Sequence, residues 1–209
     1  MTIKDIYTLF LLIHASLGGV ALTTGTIALI AQKGKRIHKL SGKLFFISML
    51  TSATFALIIA CIPGHLNPFL FSIGLFSTYL ILIGNRSISY KLELLNLTFD
   101  WIISSIMVVT GLFMIFYPIV IRYEINVVLA VFGAAGVVFS IRDLMLYRNR
   151  KKLMQSWLKM HIGNMTGGYI SAVTAFVVVN NILPGIYGWL APGIIGGFFI
   201  FYWTKKISK

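Results

Sequence analysis

The sequence predicts an all-α polytopic membrane protein, a bundle of seven transmembrane helices with the N-terminus outside and the C-terminus in the cytoplasm. Composition is the first reason, because 58% of the 209 residues are hydrophobic and only 11% are charged, far outside the usage of soluble domains. The second reason is a series of seven apolar runs of about bilayer-spanning length. The third is a strong bias of the basic residues toward alternate loops.

The apolar runs are joined by loops too short for separate domains, so residues 1–209 are predicted to form one transmembrane domain. The runs cover residues 6–31, 41–62, 68–84, 99–118, 124–141, 162–182 and 186–204. Three pairs of turn-forming residues punctuate them, namely Pro63 with Gly64, Tyr117 with Pro118, and Pro184 with Gly185. Such residues stop helices. The three turns follow the second, fourth and sixth runs, so we expect them on one side of the membrane.

The basic residues are concentrated on the other side. Of the 18 Lys and Arg residues, 16 lie in segments predicted to share a side with the C-terminus, and only Lys4 and Arg122 lie opposite. Basic loops stay in the cytoplasm, which predicts a multi-pass protein of the plasma (inner) membrane. This bias and attraction to anionic lipid on the cytoplasmic face explain the net charge of +13, so no nucleic-acid partner is predicted.

The first run carries a histidine above a groove of small residues. His14, Gly18, Ala21 and Gly25 fall on one helical face. Such a groove lets a flat cofactor lie against the backbone with the imidazole as axial ligand, but it also serves as a surface for helix packing. Both interpretations stay open for His14.

The second run opens with a basic signature. His38, Lys39, Gly42 and Lys43 form the pattern His-Lys-x-x-Gly-Lys at its entrance. The pattern resembles the His-Arg-x-x-Gly-Arg signature of an uncharacterised family of bacterial multi-pass membrane proteins, classed as a domain of unknown function. An early intramembrane histidine and a later histidine at a loop-to-helix junction extend the resemblance over most of the chain. The resemblance implies a multi-pass fold and no particular mechanism.

Polar residues from the ends of five spans are predicted to converge at the cytoplasmic side. They are His38, Asn85, Arg86, Asp100, Arg142, Asp143, His161 and Asn164. One interpretation is interfacial capping and ion pairing, for example of Asp100 with Arg86 or Arg142. The aromatic anchors in that case are Trp101, Tyr147 and Trp157. The other interpretation is a cavity open to the cytoplasm, lined by histidines and carboxylates.

The sixth run follows the most basic segment of the chain. Residues 148–160 are predicted to be a cytoplasmic loop, with a helix that begins at His161. On that helix His161, Asn164 and Gly168 share one face, which is a poor surface for lipid. We therefore expect His161 to face the bundle interior near His38 and Asp100.

Cofactor binding is the first of three functions that the sequence leaves open. In this hypothesis His38 and His161 are the inner ligands, and His14 belongs to a second, outer site. A b-type haem is the cofactor that suits paired intramembrane histidines, and zinc is the less favoured choice. The protein would then be a membrane redox or haem-handling protein.

The second function is a carrier or sensor for a small or lipidic anion at the basic face. Its predicted ligand pocket consists of Asn85, Arg86, Asp100, Arg142 and Asn164. The third is an intramembrane zinc hydrolase with His38, His161 and Asp100 as ligands. It ranks last, because such enzymes carry a His-x-x-x-His pair on a late helix and here Met165 follows His161 by four residues.

Motifs of common soluble enzymes are missing from the sequence. There is no phosphate loop, dinucleotide fingerprint, Cys-x-x-Cys pair or Ser-His-Asp order. Cys61 is the only cysteine, so no intramolecular disulfide can form. Whether the protein is an enzyme stays open.

The predicted topology has a direct test. A reporter protein fused after Lys209 should behave as cytoplasmic, because the C-terminal segment is basic and resists translocation. The same reporter fused before Met1 should be exported. An exported C-terminal fusion would mean that the orientation or the number of spans is wrong.

Overall fold

The computed structural model describes residues 2–207 and confirms the prediction of seven helices. They are α1 (Ile3–Ile30), α2 (Arg36–Ile59), α3 (Pro68–Arg86), α4 (Thr98–Arg122), α5 (Val127–Tyr147), α6 (Arg150–Val179) and α7 (Ile186–Lys206). A 3₁₀ helix (Ser87–Lys91) follows α3 directly. Each of the seven helices is long and apolar enough to cross a membrane, as a multi-pass membrane protein requires.

Asparagine side chains fix the starts of three helices. The Oδ1 atoms of Asn67, Asn126 and Asn149 each accept the backbone N–H three residues later, at 3.0 Å. Each bond satisfies an N–H group that has no partner within the helix. These caps define where α3, α5 and α6 begin.

The start predicted for the sixth span is wrong. α6 begins at Arg150, so most of the predicted cytoplasmic loop is helical and His161 lies three turns inside the helix. The physical reason is an apolar stripe hidden among basic residues, since Leu153 and Met160 are buried and Trp157 packs against the same core. The stripe holds the segment against the bundle, and helical periodicity turns the basic side chains away from it.

The turn predicted at Tyr117 and Pro118 is also wrong, because α4 continues to Arg122. The helix ends at Tyr123, whose φ of 54° is left-handed. The backbone N–H groups of Tyr123 and Glu124 both donate to the Pro118 carbonyl and close the helix. A proline removes one helical hydrogen bond, and within a bundle the neighbouring helices make that loss tolerable.

α3 and α6 pack antiparallel and very closely at the centre of the bundle. Gly84 of α3 meets Met165 of α6, and Gly168 of α6 meets Ile81 of α3. α1 and α2 form a second antiparallel pair, α4 and α5 form a third, and α7 packs along α6. The central pair therefore connects the other helices.

The two ends of the bundle differ in charge. One end, called the basic end below, holds the connections 31–35, 87–97 and 148–149 and the end of α7. The opposite end holds the connections 60–67, 123–126 and 180–185. Among the Lys and Arg residues of the described range 2–207, only Lys4 and Arg122 belong to the opposite end.

Apolar side chains cover the outside of the bundle, while small polar side chains lie inside it. Leu12, Val109 and Ile195 are exposed, whereas Ser104 and Ser140 are fully buried. This distribution suits a lipid solvent, in which small residues allow helices to pack closely and polar groups must find partners within the protein.

The contact between α4 and α5 predicts a stability effect at Gly111. A Cβ added there would lie 2.7 Å from both the Gly133 carbonyl oxygen and Val137 Cγ2, and a backbone atom cannot move aside easily. We expect Gly111→Ala to cost about 1–3 kcal/mol of stability, measured as a lower unfolding temperature in detergent.

Gly19→Ala is the matched control, because a Cβ at Gly19 meets no atom within 4 Å. This variant should be as stable as the parent or slightly more stable, since alanine favours helix. Equal unfolding temperatures for the two variants would contradict the packing described for α4 and α5.

Candidate functional site

Three histidines are held in the same way, each by a hydrogen bond from Nδ1 to a backbone carbonyl of another helix. His14 contacts the Ser52 carbonyl at 2.9 Å, His38 the Ala28 carbonyl at 3.0 Å and His161 the Gly84 carbonyl at 2.9 Å. A carbonyl oxygen can only accept, so each Nδ1 carries the proton. Each neutral ring therefore presents its Nε2 lone pair to the surroundings.

His38 and His161 lie at the same depth in the bundle. The rings of Phe45 and Tyr169 meet edge to face, with centroids 6.1 Å apart. His38 precedes Phe45 by seven residues and His161 precedes Tyr169 by eight, so both lie roughly 11 Å closer to the basic end at 1.5 Å per residue. The site thus contains one histidine from α2 and one from α6.

The carboxamide of Asn164 lies on the same face of α6 as His161, three residues later. Its side chain is only 8% exposed, and no hydrogen bond joins it to any residue in the described range 2–207. Its amide atoms are not fully enclosed, because Arg150 Nη1 is the one fully buried side-chain polar atom without a partner in that range. Asn164 therefore offers a polar group to a ligand beside His161.

His14 is separate from this site. Counted along α1, it lies 14 residues from Ala28, the partner of His38, which is about 21 Å. The Ser52 hydroxyl donates to the His14 carbonyl at 2.9 Å and faces Nδ1 at 3.0 Å, so this histidine ties α1 to α2. His65, the remaining histidine, is exposed and stacks on Tyr7 at the opposite end.

Lys33 lies next to His38. Lys33 Nζ donates to the Leu29 carbonyl and, at 3.1 Å, to the same Ala28 carbonyl that holds His38. Its ammonium also lies 5.3 Å from the ring centroid of Trp203 on α7. Partial burial lowers the pKa of Lys33 below its ordinary value. The site therefore has a cation at its basic-end border.

Arg86 and Asp100, predicted to line a ligand pocket, neutralise each other. Arg86 Nε and Nη2 donate to the two carboxylate oxygens of Asp100 at 2.6 Å each, and the Tyr90 hydroxyl adds a third bond at 2.6 Å. Asp100 is fully buried. Such a two-point pair leaves little charge for an external anion. Arg142 is exposed and forms no ion pair with any residue that the structure describes, and no side-chain hydrogen bond joins Asn85 to those residues.

The ligand set considered for zinc is not assembled. Across residues 2–207, no group of three or more His, Cys, Asp or Glu side chains is placed to hold a metal ion. The carboxylate of Asp100 is committed to Arg86 and Tyr90, whereas His161 faces the Gly84 carbonyl. Asp100 is therefore not available as a third ligand beside the histidines.

Sequence reasoning missed a group of tyrosines around the buried acids. α5 extends six residues past its predicted end at 141, which places Asp143 and Tyr147 inside the helix. The Tyr79 hydroxyl donates to Asp143 at 2.6 Å, and Tyr147 lies 3.4 Å from the Tyr90 hydroxyl and 3.2 Å from Ser104. Tyr147, predicted as an aromatic anchor, is instead buried. The four-residue spacing of Asp143 and Tyr147 places both on one face of a helix, and this pattern could have predicted the group.

A cavity of about 390 Å³ lies at the opposite end, between the start of α3, the end of α4 and the start of α5. Arg122 and Glu124 are its charged lining residues. It contains none of the residues predicted to bind a ligand. This cavity and the residues predicted to bind a ligand therefore lie at different places in the bundle.

Comparisons with known proteins yield no relative. No protein-family model matches the chain, and no curated protein or solved structure is significantly similar to it. The resemblance noted at His38 rests on its motif, and the site has to be interpreted from its own residues.

The Arg86–Asp100 pair predicts a large effect on stability. Arg86→Met should lower the free energy of unfolding by about 3 kcal/mol, because it leaves the fully buried carboxylate without its cation. Thermal unfolding in detergent measures this effect. Arg142→Met is the control, since Arg142 is exposed. If both variants unfold at the same temperature, the pair has no structural role.

Proposed function

We propose that the protein binds a b-type haem near its basic end, which Nε2 of His38 and Nε2 of His161 would hold. The observation that carries the proposal is that the imidazoles of His38 on α2 and His161 on α6 lie at one depth, each fixed by a hydrogen bond. Each donates Nδ1–H to a backbone carbonyl, at 3.0 Å and 2.9 Å. Histidines that ligate metals commonly make this second hydrogen bond, which sets the tautomer and the ring orientation.

The surroundings of the pair suit a haem. The unpartnered carboxamide of Asn164 can bond a polar edge of the cofactor, and Lys33 at the border supplies a cation for a propionate. Bound in this way, the haem would supply one-electron redox chemistry, with its potential set by the two imidazoles and by burial. We assign His14 to helix packing, because it stands alone at its depth and is engaged by Ser52.

The membrane setting belongs to the same proposal. The basic end would face the cytoplasm across the plasma membrane, with the N-terminus outside. Exposed basic side chains at that end, Lys39 and Lys151 among them, would contact anionic lipid headgroups. The anion-carrier hypothesis is less favoured, because the charge of Arg86 is already neutralised by Asp100.

Absorption spectroscopy tests the haem proposal. The protein purified in detergent after expression with ample haem should show a Soret band, and dithionite reduction should sharpen the visible bands as expected for bis-histidine iron. His38→Ala and His161→Ala should each remove the haem or convert it to a high-spin form, since each removes one ligand.

His65→Ala is the matched control, because this histidine is exposed at the opposite end, and its spectrum should equal that of the parent. His14→Ala should also keep the haem content. The proposal fails if the parent protein has a featureless visible spectrum, or if the bands survive unchanged in both His38→Ala and His161→Ala.

A further inference from the structure

The two buried carboxyl groups at the basic end have very different partners. Asp100 is 0% exposed and Asp143 is 3% exposed, so neither is solvated by bulk water. Asp100 receives two bonds from Arg86 and one from Tyr90. Three bonds, two of them from a cation, compensate the charge of this carboxylate.

Asp143 accepts fewer hydrogen bonds that could stabilise a negative charge. The Tyr79 hydroxyl donates to Oδ2 at 2.6 Å, and within residues 2–207 this is its only hydrogen bond. No cation donates to Asp143, because the one ion pair found among those residues joins Arg86 to Asp100. An ionised carboxylate with a single phenol donor is costly in a low-dielectric bundle.

The charged and titratable groups around Asp143 come from three helices. α3 contributes Tyr79 and α4 contributes Asp100, whose negative charge disfavours a second one nearby. α5 itself contributes Arg142, which is exposed, and Tyr147, one turn away. Arg142 is the only cation of this set, and it makes no hydrogen bond with the carboxyl group among the described residues.

We propose that Asp143 is a proton-binding site of the bundle, where the side chain binds a proton more tightly than an exposed carboxyl group does and exchanges it at the basic end. In the protonated form Oδ1 carries the proton, and Oδ2 still accepts the bond from Tyr79. When the proton leaves, Oδ2 keeps the same donor, so one group changes charge and Tyr79 stays protonated. Asp143 lies four residues before the end of α5, about 6 Å from the basic end. The proton is therefore exchanged with the solution at that end.

Infrared spectroscopy of the full chain in lipid vesicles, titrated across pH, is the test. We expect the carbonyl band of a protonated carboxyl group to appear on acidification at a higher pH than the bands of exposed carboxyl groups, with the small downshift that H₂O/D₂O exchange produces. The band should be lost in Asp143→Asn. It should persist in Glu124→Gln, which changes an exposed acid at the opposite end. The haem is not part of this readout, so the test is independent of the cofactor proposal.

Tyr79→Phe gives a second measurement that retains the ring and its packing. Tyr79 stabilises the carboxylate form by donating a hydrogen bond, so its removal should move the loss of the carboxyl band to higher pH. This variant decides the matter if Asp143→Asn does not fold. The proposal is overturned if no protonated-carboxyl band appears at a higher pH than those of exposed carboxyl groups, if the band survives in Asp143→Asn, or if Tyr79→Phe leaves its pH dependence unchanged.

Discussion

The close approach of α3 to α6 is the constraint on which the rest of the bundle depends. At Gly84 an added Cβ would lie 2.8 Å from the backbone nitrogen of Met165, so a side chain there would force the helices apart. The same approach brings the Gly84 carbonyl to 2.9 Å from His161 Nδ1. It also sets the position from which the tyrosine and arginine of α3 reach the buried acids. The histidine site and the acids thus share one packing contact.

Backbone carbonyls serve as the partners of the histidines, which suits a protein with few acidic residues. A carbonyl has two lone pairs and can accept a side-chain bond beside its helical one. The Gly84 carbonyl accepts from Ser87 at 2.7 Å as well as from His161, and the Ala28 carbonyl accepts from both His38 and Lys33. The three rings are thus oriented without any of the five acids of the sequence.

Hydropathy was enough to predict the seven helices, because spans of this length and apolarity have few alternative folds in lipid. Charge and polarity also predicted that His38, His161, Arg86 and Asp100 belong to one end. The start of α6 was missed, because basic residues masked its apolar stripe in a hydropathy pattern. The partners of Asp143 were missed for another reason. Tyr79 is adjacent to it only after α3 and α5 pack, and such long-range contacts leave no mark on local periodicity.

The early start of α6 has a mechanical consequence. The helix has 30 residues and is about 45 Å long, whereas the hydrocarbon core of a bilayer is about 30 Å thick. In a bilayer, the excess length would place the first turns from Arg150, a positively charged stem, outside the hydrocarbon core. Because the helix is continuous from this stem to His161, a tilt or a load applied outside the bilayer is transmitted to the imidazole without a flexible joint. The first turns of α6 and the His161 ring therefore move as one rigid unit.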